Sequence, residues 1–210
     1  MTAAMTDDVR SLTGPQLDAI REVANIGAAH AATALSQMLG STIMISVPRI
    51  TVARLSEVPP VVAAPEEPVA AVLLHMLGDL SGRTLLVFPR DVAVRLAALM
   101  LRRPATDGPT MNELERSAIT EAGNILGSAY LNALSDFMGM VLLPSPPKFT
   151  IDASSSVLTA AHLQFGSDRD HVFCVENEFL MKGDERLRGF FLLLPDAASL
   201  NAILRAVRVS

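Results

Sequence analysis

Two pairs of polar residues carry the chemistry that this sequence offers. Glu22 lies three residues before Asn25, and Glu121 lies three residues before Asn124. On an α-helix, residues three or four positions apart share one face, so each carboxylate would stand beside an amide. An amide group both donates and accepts hydrogen bonds, and a carboxylate attracts cationic groups. Each pair therefore concentrates hydrogen bonding and negative charge at one place on a helix surface.

A third polar residue precedes each pair by one helical turn. Asp18 stands four residues before Glu22, and Ser117 stands four residues before Glu121. The spacing i, i+4, i+7 forms a line about 10 Å long on the helix surface. The first line continues through Ala29 and Ser36, and small residues there would allow another protein to approach closely. We expect both lines to face solvent.

An internal repeat places the two lines at equivalent positions. Residues 17–40 align without gaps on residues 116–139, with nine of 24 positions identical. Residues 78–89 resemble residues 183–195 more loosely. Polar residues on an exposed face are usually only solvated. Because most other positions have diverged while Glu and Asn remain in both copies, and because Asn is a poor helix former, the repetition favours a function.

The same repeat predicts an α+β domain with pseudo-twofold symmetry. Each copy reads as a long helix, then strands, then a shorter helix, and we expect one domain over 1–210 with repeats at about 12–103 and 110–208. Capping boxes are predicted at Thr13–Gln16 and Thr110–Glu113, and helix ends at Gly40 and Gly139. Strands are predicted at 42–52, 69–77, 83–88, 141–151, 171–181 and 188–194, and closing helices at about 90–102 and 196–207.

The connections favour an antiparallel sheet over parallel strands joined by crossovers. Gly-Asp pairs at 78 and 183 are typical of hairpin turns. Loops are predicted at 54–68, 103–109, 154–156 and 166–170 because these stretches are rich in Pro, Gly, Ser or charge. The predicted core side of the first long helix consists of Ile20, Val23, Ala24, Gly27, Ala31, Ala34 and Met38, and that of the second of Ile119, Gly123, Leu126, Tyr130, Ala133 and Phe137.

Composition excludes several classes of function. The net charge of −5 argues against a nucleic-acid surface, because phosphate neutralisation needs clustered Lys and Arg. The single cysteine, Cys174, suits a core position in a reducing compartment, and the acidic N-terminus does not read as a secretion signal. We therefore expect a cytoplasmic protein. The stretch 23–48 has no charged side chain, but its polar residues and Pro48 argue against membrane insertion.

The histidines do not indicate a metal site. No two of them have the spacing of metal ligands, and the position of His30 in the first repeat is occupied by Ala129 in the second. We predict no metal ligand set in this chain; the other histidines are His75, His162 and His171.

The two polar lines also carry a family resemblance. Asp18, Glu22, Asn25 and Pro48 fit the pattern Asp/Ser-x3-Glu-x2-Asn-x22-Pro, which resembles the motif of the CheC, CheX and FliY chemotaxis phosphatases. The second copy fits it as well, with Ser117, Glu121, Asn124 and Pro147. Each proline lies in a predicted strand and lacks an N–H donor, so we expect it at an edge or bulge with a structural role.

The resemblance implies a mechanism and a partner. In this family, the receiver domain of CheY brings the phosphorylated aspartate and the Mg²⁺, and the phosphatase inserts a helix. Asn25 or Asn124 would then orient the attacking water, and Glu22 or Glu121 would pair with a lysine of the receiver. The chain itself would need no cofactor. The catalytic residues implied by the resemblance are Glu22, Asn25, Glu121 and Asn124.

Two other readings of the family remain open. The middle domain of the flagellar switch protein FliM resembles this fold without the Glu/Asn pairs, which would make the chain a non-catalytic interaction module. A CheX-like protein would have a single site and would dimerise, whereas two copies in one chain favour a monomer, alone or with CheD. A CheD contact is placed near 196–207, where Leu200, Ile203 and Leu204 form either an exposed apolar stripe or part of the core.

Overall fold

A computed structural model describes residues 13–54, 58, 62–105, 110–163, 171–181 and 186–209. Within these residues the chain forms five helices and eight strands in an α+β arrangement. In chain order, the elements are α1 (Gly14–Leu39), β1 (Met44–Ile45), β2 (Arg49–Arg54), β3 (Pro68–Gly78), β4 (Gly82–Pro89), α2 (Arg90–Leu101), α3 (Glu113–Met138), β5 (Leu142–Pro144), β6 (Lys148–Ala153), α4 (Ser154–Leu163), β7 (His171–Leu180), β8 (Arg186–Pro195) and α5 (Ala197–Val209).

The eight strands form one antiparallel sheet with an internal twofold pattern. The order is β1-β7-β8-β4-β3-β5, with β2 also paired to β7 and β6 also paired to β3. β1, β7 and β8 correspond to β5, β3 and β4 of the other repeat, so the strand order is the same from both ends of the sheet. At the centre of the sheet, where β4 pairs with β8, Leu85 lies opposite Leu192 and Leu86 opposite Phe191. The predicted pseudo-twofold α+β fold is confirmed.

The two repeats exchange strands. β2 of the first repeat pairs with β7 of the second, and β6 of the second repeat pairs with β3 of the first. The pseudo-twofold axis passes between β4 and β8, which are the central neighbours of the sheet. Neither repeat therefore holds a complete sheet of its own, and the two form one structural unit.

The helices form two unequal layers around the sheet. One face carries α1, α2, α3 and α5 and encloses the larger hydrophobic cluster, which includes Leu35, Phe88, Leu126 and Phe191. The other face is covered by α4 together with Val58 and Val62, which enclose a smaller cluster around Phe190. Cys174 is buried in this smaller cluster, as its predicted core position requires. Both helices with polar lines lie on the first face.

The helix ends agree with the sequence at three of four predicted places. The Thr13 N–H donates to Gln16 Oε1 at 2.8 Å, and Gly40 and Gly139 end the long helices with φ of 65° and 63°. The box predicted at 110–113 is wrong. The cap of α3 is Asn112, whose Oδ1 accepts from the Glu115 N–H at 3.0 Å, because Asn is a stronger N-cap than Thr and Glu115 completes its box.

Two predicted strands and one predicted loop require correction. The strands predicted at 42–52 and 141–151 are each divided in two just before Pro48 and Pro147, because proline cannot donate to the ladder. Residues 154–156 do not form a loop but begin α4. The hairpin turn at 78 is confirmed by the pairing of β3 with β4. The turn at 183 and the loop at 166–170 lie outside the described residues.

Helix α5 packs its apolar side against the core. Leu200, Ile203 and Leu204 are all buried in the larger cluster. The proposal that they form an exposed stripe for CheD is therefore wrong, and the core interpretation is confirmed. The three residues close the helical layer beside α1.

The core side of α1 is rotated from the predicted one. Ile20, Val23, Ala34 and Met38 are only half-buried. The fully buried residues of α1 are Ala24, Gly27, Ala28, Ala31, Ala32 and Leu35. The rotation arises because α1 packs mainly against α3 and less against the sheet. The predicted core side of α3 is confirmed, with Phe137 half-buried at its end.

Candidate functional site

The polar line of α1 faces solvent over most of its length. Asp18 and Glu22 are exposed, and Asn25 is half-buried. One carboxylate oxygen of Asp18 accepts a hydrogen bond from Arg21 at 2.7 Å, and both side chains are more than half exposed. Such a surface ion pair contributes at most about 1 kcal/mol. Glu22 and Asn25 therefore form a compact polar surface that another protein can reach, which we call the α1 site.

The polar line of α3 has the same arrangement. Ser117 and Glu121 are exposed, and Asn124 is half-buried. The position of Arg21 is taken here by Thr120, whose hydroxyl donates to the Arg116 carbonyl at 2.7 Å. We call Glu121 with Asn124 the α3 site. The repeat thus preserves the Glu and Asn residues and the exposure of all three positions.

The two motif prolines lie beside the strands that support the helices. In the register of β6 on β3, Lys148 pairs with Leu73, so Pro147 comes next to Leu74. In the register of β2 on β7, Arg49 pairs with Glu176, so Pro48 comes next to Asn177. Both prolines are half-buried and stand between two short strands. Their predicted edge position, with a structural role, agrees with this placement.

The two sites are offset along an antiparallel helix pair. Gly27 abuts Tyr130, and Ile20 lines the same cavity as Phe137, so α1 and α3 run in opposite directions. Because Tyr130 is level with Gly27, Asn124, which lies six residues earlier in α3, is level with residue 33 of α1. Residue 33 lies eight residues beyond Asn25. At a rise of 1.5 Å per residue, the asparagines are offset by about 12 Å along the helix axes. Both sites lie on the helical face of the sheet.

The chemistry of the sites consists of hydrogen bonding and charge. Among the described residues no group of three or more His, Cys, Asp or Glu side chains could hold a metal ion. Burial raises the pKa of the Cys174 thiol to about 12, so this cysteine is no thiolate nucleophile at neutral pH. Burial and nearby cations lower the pKa of His75. His75 lies on β3, away from both helix faces.

One contact near the α1 site was not predicted by the sequence. Tyr130 of α3 is buried, and its hydroxyl donates to Asn177 of β7 at 2.5 Å. Tyr130 is the only tyrosine of the chain, and its counterpart in the first repeat is Ala31. That departure from the repeat was the available signal. The prediction assigned Tyr130 to the core side of α3 without a polar partner.

No helix within the described part of the chain has the length and apolar character needed to cross a membrane.

Comparisons with known proteins connect both sites to one family. The profile described as the CheC-like family matches residues 16–52 and 114–151, which contain the two motifs from Asp18 to Pro48 and from Ser117 to Pro147. A relative from Bacillus subtilis (strain 168), named CheY-P phosphatase CheC, is 30% identical over 198 residues, covering 93% of this chain and 95% of the relative. The flagellar motor switch phosphatase FliY of the same organism is 30% identical over 67% of this chain and 37% of its own length.

Solved structures share the fold. FliY from Thermotoga maritima has a TM-score of 0.75 at 24% identity, covering 95% of this chain and 98% of its own. The middle domain of FliM from H. pylori has a TM-score of 0.67 at 14% identity, covering 93% of this chain and 99% of its own. At these identities the two structures establish the architecture only.

Proposed function

Because this chain belongs to the CheC-like family, we propose that it is a phosphatase that hydrolyses the aspartyl phosphate of CheY-type receiver domains. The observation that carries the proposal is the Glu/Asn pair, which recurs on two solvent-facing helix surfaces. Each pair lies inside a segment that matches the family profile. The Bacillus subtilis relative, named for this activity, aligns along nearly its whole length.

Asn25 and Asn124 are the proposed catalytic residues. Each asparagine is half-buried, so its side chain has fewer accessible orientations than that of a fully exposed residue. An amide held in this way can accept one hydrogen bond from a water molecule and donate another to a phosphoryl oxygen. Phosphoryl transfer needs mainly such positioning of the attacking oxygen in line with the leaving group. The geometry suits that role.

Glu22 and Glu121 are proposed to hold the receiver in register. Both carboxylates are exposed one turn from their asparagine, where a lysine of the partner could reach them. Asp18 and Ser117 lie one turn further out and complete the contact surface. Charge-assisted pairing of this kind fixes orientation in addition to contributing affinity. Changes to the glutamates should therefore act on receiver binding more than on the chemical step.

The metal for this reaction belongs to the substrate in the proposed mechanism. Mg²⁺ held by the receiver would neutralise charge on the phosphoryl group. This chain would supply only the amide, the carboxylate and the helix surface. We further propose that the protein acts in the cytoplasm as a monomer, since the sheet is completed within one chain. CheD remains a candidate partner without an assigned surface.

Phosphate release from a phosphorylated CheY tests the proposal. The variant Asn25→Ala with Asn124→Ala should lose on the order of a hundredfold in rate, because misplacement of a reacting group has effects of that size. Its fold should persist, since alanine is the better helix former. The matched control is Gln37→Ala with Asn132→Ala, which removes two exposed amides from the same helices outside the motifs.

The control should release phosphate at the wild-type rate. Near wild-type release by a folded double asparagine variant would overturn the catalytic assignment. If the wild-type protein did not accelerate release at all, the interaction-module interpretation would replace the phosphatase.

A further inference from the structure

Tyr130 reaches from α3 to two strands of the sheet beneath the helical layer. It belongs to α3, but its ring stacks on Phe191 of β8 with centroids 4.2 Å apart and planes at 14°. Its hydroxyl donates to Asn177 Oδ1 on β7, and the Asn177 amide donates in turn to the Val175 carbonyl at 3.3 Å. Tyr130 and Asn177 are 5% and 2% exposed. A buried, hydrogen-bonded and stacked ring has a fixed position.

Helix α1 rests on this ring. A Cβ atom at Gly27 would lie 2.5 Å from Tyr130 Cδ1 and 3.2 Å from its Cα, so only glycine permits the approach. Gly27 follows Asn25 by two residues and belongs to the same helical stretch. The backbone that carries the α1 site therefore contacts a side chain from the helix of the other site.

An apolar cavity that is partly open to solvent lies next to the ring and below the α1 site. It has a volume of about 60 Å³, and α1 contributes Ile20, Val23 and Ala24 to its lining. Tyr130 forms part of the opposite wall. Because interior groups are normally close-packed, an unfilled volume removes support from the residues that line it. The turn from Glu22 to Asn25 is thus supported by the ring on one side and has empty space beneath it.

The α3 site has a different support. Gly123 and Gly127 of α3 lie directly on Val72 and Leu74 of β3, where an added Cβ would come within 2.5 Å and 2.8 Å of their side chains. The counterparts of Tyr130 and Asn177 are Ala31 and Leu74, which cannot form an equivalent hydrogen bond. Removal of the tyrosine ring should leave the contact of α3 with the strand in place.

We propose that Tyr130, although it lies on the helix of the α3 site, is a positioning residue for the α1 site. Its ring sets the height of α1 above the sheet and thereby the place of the Asn25 amide relative to a docked receiver. The inference rests on the proposed phosphatase function and adds to it a dependence of one site on the helix of the other.

Single-site variants separate the two effects. Asn124→Ala leaves only the α1 site, and Asn25→Ala leaves only the α3 site. Into each we would introduce Tyr130→Leu, which removes the ring, and Tyr130→Phe, which keeps the ring and removes the hydroxyl. Phosphate release from a phosphorylated CheY would be measured over a range of receiver concentrations to obtain kcat and KM for each site.

With the α1 site alone, Tyr130→Leu should lower kcat about tenfold or more while KM changes little, because small misplacements of a positioning group reduce rate strongly. Tyr130→Phe should retain most of that rate. With the α3 site alone, both variants should stay within about twofold of their parent. Amide hydrogen exchange should rise in residues 14–30 and not in 113–127.

Leu158→Ala provides the control for general destabilisation. Leu158 is buried on α4, on the opposite face of the sheet from both sites. Its loss should lower stability and leave the ratio of kcat between the two single-site proteins unchanged. Equal losses at both sites with Tyr130→Leu, or no loss at the α1 site, would overturn the proposal. If the unmodified protein did not accelerate phosphate release, the proposed function itself would fail, and the positioning role with it.

Discussion

The α1 and α3 sites present the same polar residues on helices that are supported in different ways. Gly123 and Gly127 bring α3 into direct contact with the strand below it. The counterparts in α1 are Ala24 and Ala28, whose methyl groups prevent such a close approach. The space between α1 and the sheet contains the Tyr130 ring and, beside the ring, the apolar cavity. The duplicated chemistry therefore does not depend on a duplicated support, since Glu and Asn are kept in both helices while the residues that pack beneath the two sites differ.

The largest effect should come from removing one asparagine at a time. Asn25→Ala should reduce the α1 site about a hundredfold and leave the α3 site nearly unchanged, because distant positions act independently. Asn124→Ala should do the reverse. Steady-state phosphate release at saturating receiver measures the remaining site in each protein. A single variant that lost as much activity as the double variant would show that the two sites act as one.

Adding a methyl group beneath α3 should destabilise the protein. In Gly123→Ala the new Cβ would lie 2.5–2.6 Å from three carbons of the Val72 side chain. Overpacking of this kind costs about 1–3 kcal/mol, which exceeds the gain of up to about 1 kcal/mol in helix propensity. Denaturant unfolding would measure the change, with Gly14→Ala as the control because a Cβ there meets nothing within 4 Å. Equal stability of the two variants would contradict the tight contact of α3.

One substitution at two equivalent strand positions compares the two supports directly. Val72 lies under Gly123, whereas its counterpart Val175 lines the cavity beneath α1. Val72→Ile should lower the free energy of unfolding by about 1 kcal/mol through overpacking. Val175→Ile should be neutral or raise it by up to about 0.8 kcal/mol, the value of one buried methylene. Thermal unfolding would test both, and the opposite order would show that the cavity does not distinguish the helices.

The smallest effect should appear only at alkaline pH. Burial raises the pKa of Tyr130 above its ordinary value of 10.0, and the hydrogen bond to Asn177 offsets part of that rise. The contribution of Tyr130 to the free energy of unfolding is complete below pH 10. It is lost as the pH rises towards the pKa of Tyr130 in the folded protein, because the phenol of the unfolded chain ionises first. At pH 11 the loss should reach about 1 kcal/mol.

Comparison with Tyr130→Phe isolates that loss, since every other titrating group is shared. The difference in unfolding free energy between the two proteins should change between pH 9 and pH 11. A constant difference over this range would mean that water reaches the hydroxyl beneath α1.

The sequence was sufficient for the elements that have local signals. Helix periodicity, Gly40 and Gly139 defined the long helices, and self-similarity revealed the twofold pattern. The partner of β2 was not predictable, because strand exchange depends on long-range register that no short window contains. α4 was missed because Ser154 to Ser156 have the composition of a loop, although they begin a helix.

For the sites, residue type and spacing predicted which side chains face solvent. They did not predict how α1 is supported. The rotation of α1 follows from Gly27 meeting Tyr130, a contact between residues about 100 positions apart. Periodicity ranks apolar positions on one helix but does not identify the surface against which each will pack.

The exchange of strands between the repeats has a consequence for how the chain reaches its native state. Among the described strands, β2 at 49–54 pairs only with β7 at 171–176, so the first repeat cannot close its part of the sheet until most of the chain has been synthesised. Pairings of such high contact order are slow to form, and the edge of β3 stays open until β6 arrives. We expect folding to be largely post-translational. Fragments cut within 103–109 should be individually unfolded and should recover structure only when mixed.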